Sequence, residues 1–261
     1  MVSLVMSDFI KKYWENNASK YKISYKASWK DNFAIDLEIR NISRYIKKNS
    51  IVLDIGCGNG YSTFYQLKKK PKKIIGLDFA KNMIFFANKR KTDLNLGDEI
   101  SFEEGNIKKL RFDDKIFDVV YTTRVLINLP TWKEQTQGIN ECIRVTKKGG
   151  TIIISEAFWE PLVLLNSLRT LKQLPPLIEH DFNRYIKKRE LESYLNTLNL
   201  KFEVIDFCSI YYLGSRFLRE LVTNPNDYQE YSNPINEIFY NIEKEYSGGG
   251  FGIQLAYVIR K

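Results

Sequence analysis

Residues that form disulfides or hold zinc are scarce in this sequence, with three cysteines and one histidine among 261 positions. Cys57, Cys142 and Cys208 are far apart and form no C-x-x-C pair. An odd, scattered set supports neither a disulfide framework nor a zinc cluster, and it fits reduced thiols in a cytoplasmic protein. Long apolar runs are missing too; none approaches the roughly 20 residues that span a bilayer. The opening MVSLVMSDFIKKYW has no basic segment before its short apolar patch and no small-residue cleavage site after it. No secretory signal is expected. Internal repeats and low-complexity tracts are also absent.

What is present is an ordinary globular composition, 44% hydrophobic and 27% charged, long enough to bury a sizeable core. The formal net charge of +9 admits a polyanionic partner or an acidic substrate. The lysines, however, come in short clusters (68–70, 72–73, 108–109, 147–148, 187–188) placed mostly at element ends, as on a solvated surface.

The first 50 residues read as helical: in DNFAIDLEIRNISRYIKK, Phe33, Leu37, Ile42 and Tyr45 fall near one face. The pattern then changes. Apolar runs IVLDI (51–55), KIIGLD (73–78), ISFEEG (100–105), FDVVYTT (117–123) and TIIISE (151–156) alternate with amphipathic stretches YSTFYQLKK, AKNMIFFANKRK and WKEQTQGINECIRVT. Such alternation predicts a parallel sheet covered on both faces. TKKGG at 146–150 reads as a helix stop, basic in the last turn with glycine beyond. After 156 the alternation breaks. A helix EPLVLLNSLRTL, a Pro175–Pro176 pair and a polar loop IEHDFNRYIKK precede a helix RELESYLNTL and a strand FEVIDFCSIYYL. An aromatic, helical stretch and the turn GGGFGIQLAYVIRK into a last strand close the chain. The expectation is one α/β domain over 1–261. It comprises an N-terminal helical segment (1–49), a ligand-binding core (50–156) and two insertions (157–188 and 213–247) that cap the strand ends.

IVLDIGCGNG ends a strand at Asp54 and continues through Gly56, Gly58 and Gly60. In open parallel sheets ligands sit beyond the carboxyl ends of the strands, where a glycine turn lets the backbone approach closely. The spacing is D-x-G-x-G-x-G, not G-x-G-x-x-G, and no G-K-[S/T] follows, which excludes a P-loop. An acid ahead of the glycines would repel a pyrophosphate and suits an ammonium. Asp78, which ends the next strand, can bond both hydroxyls of a ribose. Asn106 in EEGNI can read an adenine edge, with Ile107 flanking the ring. S-adenosyl-L-methionine meets these requirements: an adenosine without phosphate and a positive charge near an acid. The plain alternative has Asp54 and Asp78 capping the helices that follow, and Cys57 as a small residue tolerated in a tight turn.

VLDIGCGNG, GLDFAKNMI, EEGNI, FDVVYTTRVLINL and RVTKKGGTIIISE together resemble the class I S-adenosylmethionine-dependent methyltransferases over roughly residues 50–156. The resemblance implies a Rossmann-like, seven-stranded, mostly parallel sheet with helices on both faces and the last strand antiparallel. It implies S-adenosyl-L-methionine as cofactor, leaving as S-adenosyl-L-homocysteine. Asp54, Gly56, Cys57 and Gly58 would line its methionine part, and Asp78 would hold the ribose. Phe79 and Met83 would sit beside the adenine, Asn106 and Ile107 at its edge and face, and Thr122, Thr123 and Arg124 beneath the sulfonium. Trp29 and Arg40 are candidates to cover the donor, with core packing and a solvated helix face as their plain alternatives.

Methyl transfer from a sulfonium is an in-line displacement, so the protein must orient the acceptor and, for a hydroxyl, take its proton. TTRVLINLP lacks the Asn/Asp-Pro-Pro-aromatic tetrapeptide of family members that act on exocyclic base amines; NLP at 128–130 comes too late. No paired D-x-D points to a metal, and none is expected. His180 is the first candidate base, because imidazole ordinarily titrates near ~6.5. Glu156, at the end of the fifth strand, is the second. Tyr211, Tyr212 and Arg216 in SIYYLGSRF, with Arg169, Asn183, Arg184 and Tyr185, are candidates for the acceptor wall. Each has an ordinary alternative: an incidental histidine, a capping acid, tyrosines packed on an edge strand. EAFWEPLVLLNSLR, H-x-x-N-x-Y and YYLGSR more loosely resemble methyltransferases associated with bacterial surface-polysaccharide (capsule or O-antigen) biosynthesis. That implies the hydroxyl of a sugar, or of a phosphorylated or nucleotide-linked precursor, as acceptor. The expectation is O-methylation of a small polar acceptor, anionic or sugar-like, with no nucleic-acid partner and no membrane span. The rivals are an RNA or protein methyltransferase using the basic surface and a non-catalytic S-adenosylmethionine-binding regulator.

Overall fold

Strands β1 (Ile51–Ile55), β2 (Lys73–Asp78), β3 (Ile100–Glu104), β4 (Phe117–Thr123), β5 (Thr146–Ala157), β6 (Lys201–Ile205) and β7 (Gln254–Arg260) form one sheet, ordered β3-β2-β1-β4-β5-β7-β6. The first five pair in parallel, and β7 runs antiparallel to both β5 and β6. This is the seven-stranded, mostly parallel, Rossmann-like sheet that the alternation and the resemblance predict. The computed structural model describes residues 2–180, 182–224 and 231–261; the parts of the expected cap segments at 181 and 225–230 lie outside the described residues.

β1 is central, and Val52 and Leu53 are fully buried. Burying each such aliphatic side chain contributes about 1.5–3 kcal/mol, which fixes the register. β1 pairs with β2 on one side and β4 on the other, so the chain reverses its direction of winding at the carboxyl end of β1. That is where Asp54 stands.

The helices are α1 (Val2–Tyr21), α2 (Asn32–Ser43), α3 (Tyr61–Gln66), α4 (Lys81–Asp93), α5 (Trp132–Val145), α6 (Trp159–Leu171), α7 (Lys188–Thr197), α8 (Ser209–Leu213), α9 (Arg219–Val222) and α10 (Pro234–Glu245). Several starts carry a side-chain cap. Asp31 Oδ1 accepts from Ala34 N at 3.1 Å to open α2, and Thr131 Oγ1 accepts from Glu134 N at 3.2 Å to open α5. A cap of this kind stabilises by about 1 kcal/mol. α1 crosses the carboxyl end of the sheet. Its Glu15 carboxylate accepts from Lys81 N and Asn82 N at 2.7 and 2.8 Å, supplying the negative charge that the start of α4 favours. Among the described residues no helix is long and apolar enough to cross a membrane.

Two expectations are corrected. TKKGG does not cap α5; the helix stops at Val145, and Thr146 is already extended and paired with Phe117. Gly149, at φ 77°, turns the chain within β5, its N–H donating to Lys261 O at 2.7 Å. The strand expected through Tyr212 ends at Ile205 and gives way to α8, a π-helical turn over Gly214–Leu218, and α9. A strand would send Tyr211 and Tyr212 to opposite faces, yet both are buried. Glu243 of α10 provides the helical alternative, its Oε2 accepting from Tyr211 N at 2.9 Å. Gly214 then packs so closely on Phe239 that a Cβ there would enter the ring.

Candidate active site

The carboxyl ends of β1, β2 and β4 open into a cleft of about 1130 Å³, part of it solvent-exposed. Asp54, Gly56, Cys57, Gly58, Asp78, Phe79, Met83, Asn106, Ile107, Thr123 and Arg124, all expected around the donor, line it. The loop is pinned where Gly56 N and Cys57 N donate to Leu77 O at 2.6 and 2.8 Å. Gly56 has φ 77° and its missing Cβ would run into Val125. At Gly58, φ 55°, a Cβ would approach nothing nearer than Met83 Sδ at 3.9 Å, so this glycine leaves open space at the cleft.

Asp54 is 1% exposed. Its Oδ2 accepts from Thr63 Oγ1 at 2.6 Å and Tyr121 OH at 2.8 Å, while its buried Oδ1 has no partner. Burial pushes this carboxyl up to about 7 against the pull of those two hydroxyls. Asp78 accepts from Gly58 N at 2.9 Å and Ala80 N at 2.8 Å, and burial raises it to about 6. It therefore caps the entry to α4, as the plain alternative had it, and retains lone pairs toward the cleft. Asp54 caps no helix. The Cys57 thiol is pushed well up by burial, which suits packing and not a nucleophile.

Trp14, Ser28, Arg124 and Asn128 are shared with a second cavity of about 1230 Å³. Trp29, His180, Asn183, Tyr185, Tyr212 and Arg216 also line it. Arg124, at φ 57°, lays its guanidinium 4.9 Å from the Trp29 ring centroid, with Nε 3.3 Å from Glu38 Oε2. Glu38 is buried and also accepts from Ser155 Oγ at 2.7 Å; burial raises its pKa and Arg124 opposes that rise. Arg216 sits in the π turn, paired with fully buried Asp31 and surrounded by the rings of Tyr211, Tyr212 and Tyr231. Both guanidiniums thus already face a carboxylate. Asn128 Oδ1, Asn183 Oδ1 and Gln254 Oε1 line the same cavity buried and unpartnered. Burial holds the Tyr185 phenol at about 12, in its donor form. His180 is exposed at the rim, its ring 4.9 Å from Phe182 and 5.7 Å from Tyr13.

Several expected residues stand elsewhere. Trp29 lines the second cavity and not the donor cleft. Arg40 is exposed, pairs with Asp36 one helical turn away and borders a third depression. Thr122 is buried and donates to Glu156 Oε1 at 2.9 Å, while its neighbour Thr123 faces the cleft. Glu156 is fully buried; Oε1 also accepts from Val125 N and Leu126 N at 3.0 Å, and Oε2 from Ile127 N at 3.3 Å. It shapes the turn after β4 and offers no surface to an acceptor. Arg169 is buried and committed to Pro175 O, Arg216 O and Glu220. Tyr211 lies behind the wall, donating to Asp31 at 2.7 Å. Arg184 borders a neighbouring surface groove.

The sequence reading missed the cover from α1, Ile10 and Trp14, whose i, i+4 spacing was the available signal. It also discounted Asn128–Pro130, which the short turn Leu126–Asn128 brings back to the cleft. Asn59 was hidden inside the glycine loop; its Nδ2 donates to Lys22 O and Ser24 O at 2.7 and 2.8 Å, tying that loop to the segment after α1.

A family model described as a methyltransferase domain matches residues 46–217. Demethylmenaquinone methyltransferase of Lactiplantibacillus plantarum is 33% identical over 114 residues, 43% of this chain and 47% of the relative. Phosphoethanolamine N-methyltransferase 1 of Arabidopsis thaliana is 26% identical over 144 residues, 55% of this chain and 26% of the relative. The match spans less than half the length of either relative. Among solved structures, Haemonchus contortus phosphoethanolamine N-methyltransferase 1, with phosphoethanolamine and S-adenosylhomocysteine, superposes with a TM-score of 0.66 at 17% identity. That superposition covers 99% of this chain and 49% of that one.

Proposed function

The chain belongs to the methyltransferase-domain family, and from that premise we propose that it methylates a hydroxyl of a small, uncharged, polar acceptor held in the cavity beside Arg124. S-adenosyl-L-methionine is its cofactor. The residues present fit that group: Asp54 offers a buried, unpartnered carboxylate oxygen, and the cleft beside Gly58 is clear of protein atoms. When bound, the cofactor supplies an electrophilic methyl on a sulfonium for in-line displacement.

The protein's part in the reaction is binding, orientation and proton removal. Asp54 Oδ1 would accept from the ammonium of the methionine part, and the free lone pairs of Asp78 from the ribose. Phe79, Met83 and Ile107 would flank the adenine, with Asn106 at its edge. Ile10 and Trp14 of α1 would exclude water from above. Arg124 lies on the boundary that cleft and cavity share, and Glu38 cancels its charge so that a cationic donor meets no net repulsion there. His180, at the cavity rim, would take the acceptor's proton.

The observation that carries the acceptor class is the trio of unpartnered oxygens on Asn128, Asn183 and Gln254. They accept hydrogen bonds, so they ask for a ligand rich in O–H or N–H donors. Tyr212 and Trp29 supply flat apolar faces beside them. A sugar, free or as a surface-polysaccharide precursor, combines both features. The pairing of Arg124 and Arg216 with carboxylates disfavours the anionic form of that acceptor. A second reading is an amine acceptor of the phosphoethanolamine kind, favoured by the same oxygens and by the aromatic rings, which also suit an ammonium.

The test is calorimetric titration with S-adenosyl-L-methionine and S-adenosyl-L-homocysteine, followed by methyl-transfer assays against sugars, nucleotide sugars and ethanolamine derivatives. Binding of both adenosyl compounds and transfer to a sugar hydroxyl support the proposal. Transfer to an amine selects the second reading, and no binding of either adenosyl compound refutes the site assignment.

A further inference from the structure

Among the described residues, ten buried side-chain polar atoms make no hydrogen bond. Five of them, on Asp54, Arg124, Asn128, Asn183 and Gln254, surround the donor cleft and acceptor cavity. Four of the remaining five lie together on a different cavity: both amide atoms of Asn41, Asp206 Oδ1 and Glu243 Oε1. Leaving such a group unsatisfied costs roughly 1–3 kcal/mol, so their grouping marks a place where something else supplies the partners.

This cavity, about 1370 Å³ and open to solvent, lies between α2, the end of β6 and the last turns of α10. Asn41 is 1% exposed and Glu243 4%. Each acid gives one oxygen to the fold and leaves the other at the cavity. Glu243 Oε2 accepts from Tyr211 N at 2.9 Å, and Asp206 Oδ2 from Gly250 N at 3.0 Å. The carboxylates feel one another: burial first, and then the charge of Asp206, push Glu243 up to about 7. Arg44, Lys68, Lys69 and Lys244 border the same space.

We infer that this cavity is a second ligand site, taking a small zwitterion that carries a primary ammonium a few bonds from a carboxylate or phosphate. An ammonium has three N–H donors, matching Glu243 Oε1, Asp206 Oδ1 and Asn41 Oδ1. Asn41 Nδ2 and the bordering bases then meet the anionic end. A bare metal ion would leave the Asn41 amide nitrogen unmatched and would face the bordering cations; a plain anion would face two carboxylates. The occupant is an effector, since the site is separate from the donor cleft. Glu243 holds the start of α8 through Tyr211, whose hydroxyl reaches Asp31, the partner of Arg216. Asn41 lies on α2 with Asp31 at its N-cap and Glu38 along it. Both routes lead to the acceptor wall.

The test is calorimetric titration of the full chain with L-alanine, L-glutamate and O-phosphoethanolamine, beside ethylamine, acetate and calcium chloride. Saturable binding of a zwitterion, about tenfold or more tighter than ethylamine or acetate, supports the site; the carboxylate and phosphate compounds distinguish the two anion sources. Asp206→Asn and Asn41→Ala should abolish that binding and leave S-adenosyl-L-methionine binding intact, which also shows that each variant is folded. Calcium binding without zwitterion binding, or no heat from any probe at millimolar concentration, overturns the inference and leaves a metal site or a solvated hollow. Zwitterion binding that survives both substitutions places the ligand elsewhere and overturns it as well.

Discussion

Replacing Glu38 by glutamine should separate the binding of S-adenosyl-L-methionine from that of S-adenosyl-L-homocysteine. Arg124 borders both the donor cleft and the acceptor cavity, with Nε 3.3 Å from Glu38 Oε2. Arginine stays protonated at any working pH, so the pair is neutral only while Glu38 is ionised. Glutamine keeps the shape and an oxygen for Ser155 but leaves the guanidinium uncompensated. A sulfonium at roughly 6–10 Å, in an effective dielectric of about 20, would then meet about 1.7–2.8 kcal/mol of repulsion. That corresponds to about a 15- to 100-fold loss of affinity. S-adenosyl-L-homocysteine has no sulfonium charge, so its affinity should be nearly unchanged. Parallel calorimetric titrations of wild type and variant measure the ratio directly. The raised pKa of Glu38 adds a sign: as pH falls through it, the wild type should come to resemble the variant toward S-adenosyl-L-methionine alone. Equal losses for the two ligands, or no loss for either, would refute the reasoning.

Asp54 titrates near about 7 and must be ionised to hold an ammonium, so donor affinity should fall as pH drops through that value, and Asp54→Asn should flatten the profile; a flat wild-type profile removes the carboxylate from the site. The folded state holds the Asp54 proton more tightly than the unfolded chain does. Its contribution to stability therefore declines as pH rises from about 4 to about 7, and the shift of Tm by the donor should be largest above that window. Gly56→Ala combines positive φ with a collision against Val125 and should lower Tm and abolish donor binding. Gly149→Ala, at φ 77° but in open space, should cost only about 1 kcal/mol in urea unfolding and spare binding. Asp31→Ala leaves Arg216 buried without its counter-ion and should cost about 3–5 kcal/mol. The double variant Asp31→Leu/Arg216→Met should regain much of that stability while losing acceptor turnover, a split that a purely structural pair would not produce.

The sheet core was legible because its signals are local. Each of the runs IVLDI, KIIGLD and FDVVYTT is hydrophobic enough to be a buried strand by itself, and the acid and glycines that follow IVLDI can serve few purposes at the end of such a strand. The class of fold and the type of donor follow from those runs and the motifs beside them. Which side chain faces the ligand did not follow. Thr122 and Thr123 are neighbours with the same chemistry, and the pleat sends one to Glu156 and the other to the cleft. Glu156 reads as a base at a strand end, but three backbone N–H groups from the next turn enclose it, and that turn is formed by long-range packing. SIYYLGSRF has the composition of a strand, yet the carboxylate of Glu243, 32 residues from Tyr211, starts a helix there. The pairing of Arg216 with Asp31 joins positions 185 residues apart. Local periodicity determined the scaffold and its donor-binding loop, because strand and turn formation depend on neighbouring residues. Charge balance, burial and the acceptor wall depend on groups that meet only in three dimensions, and the tertiary structure decided those.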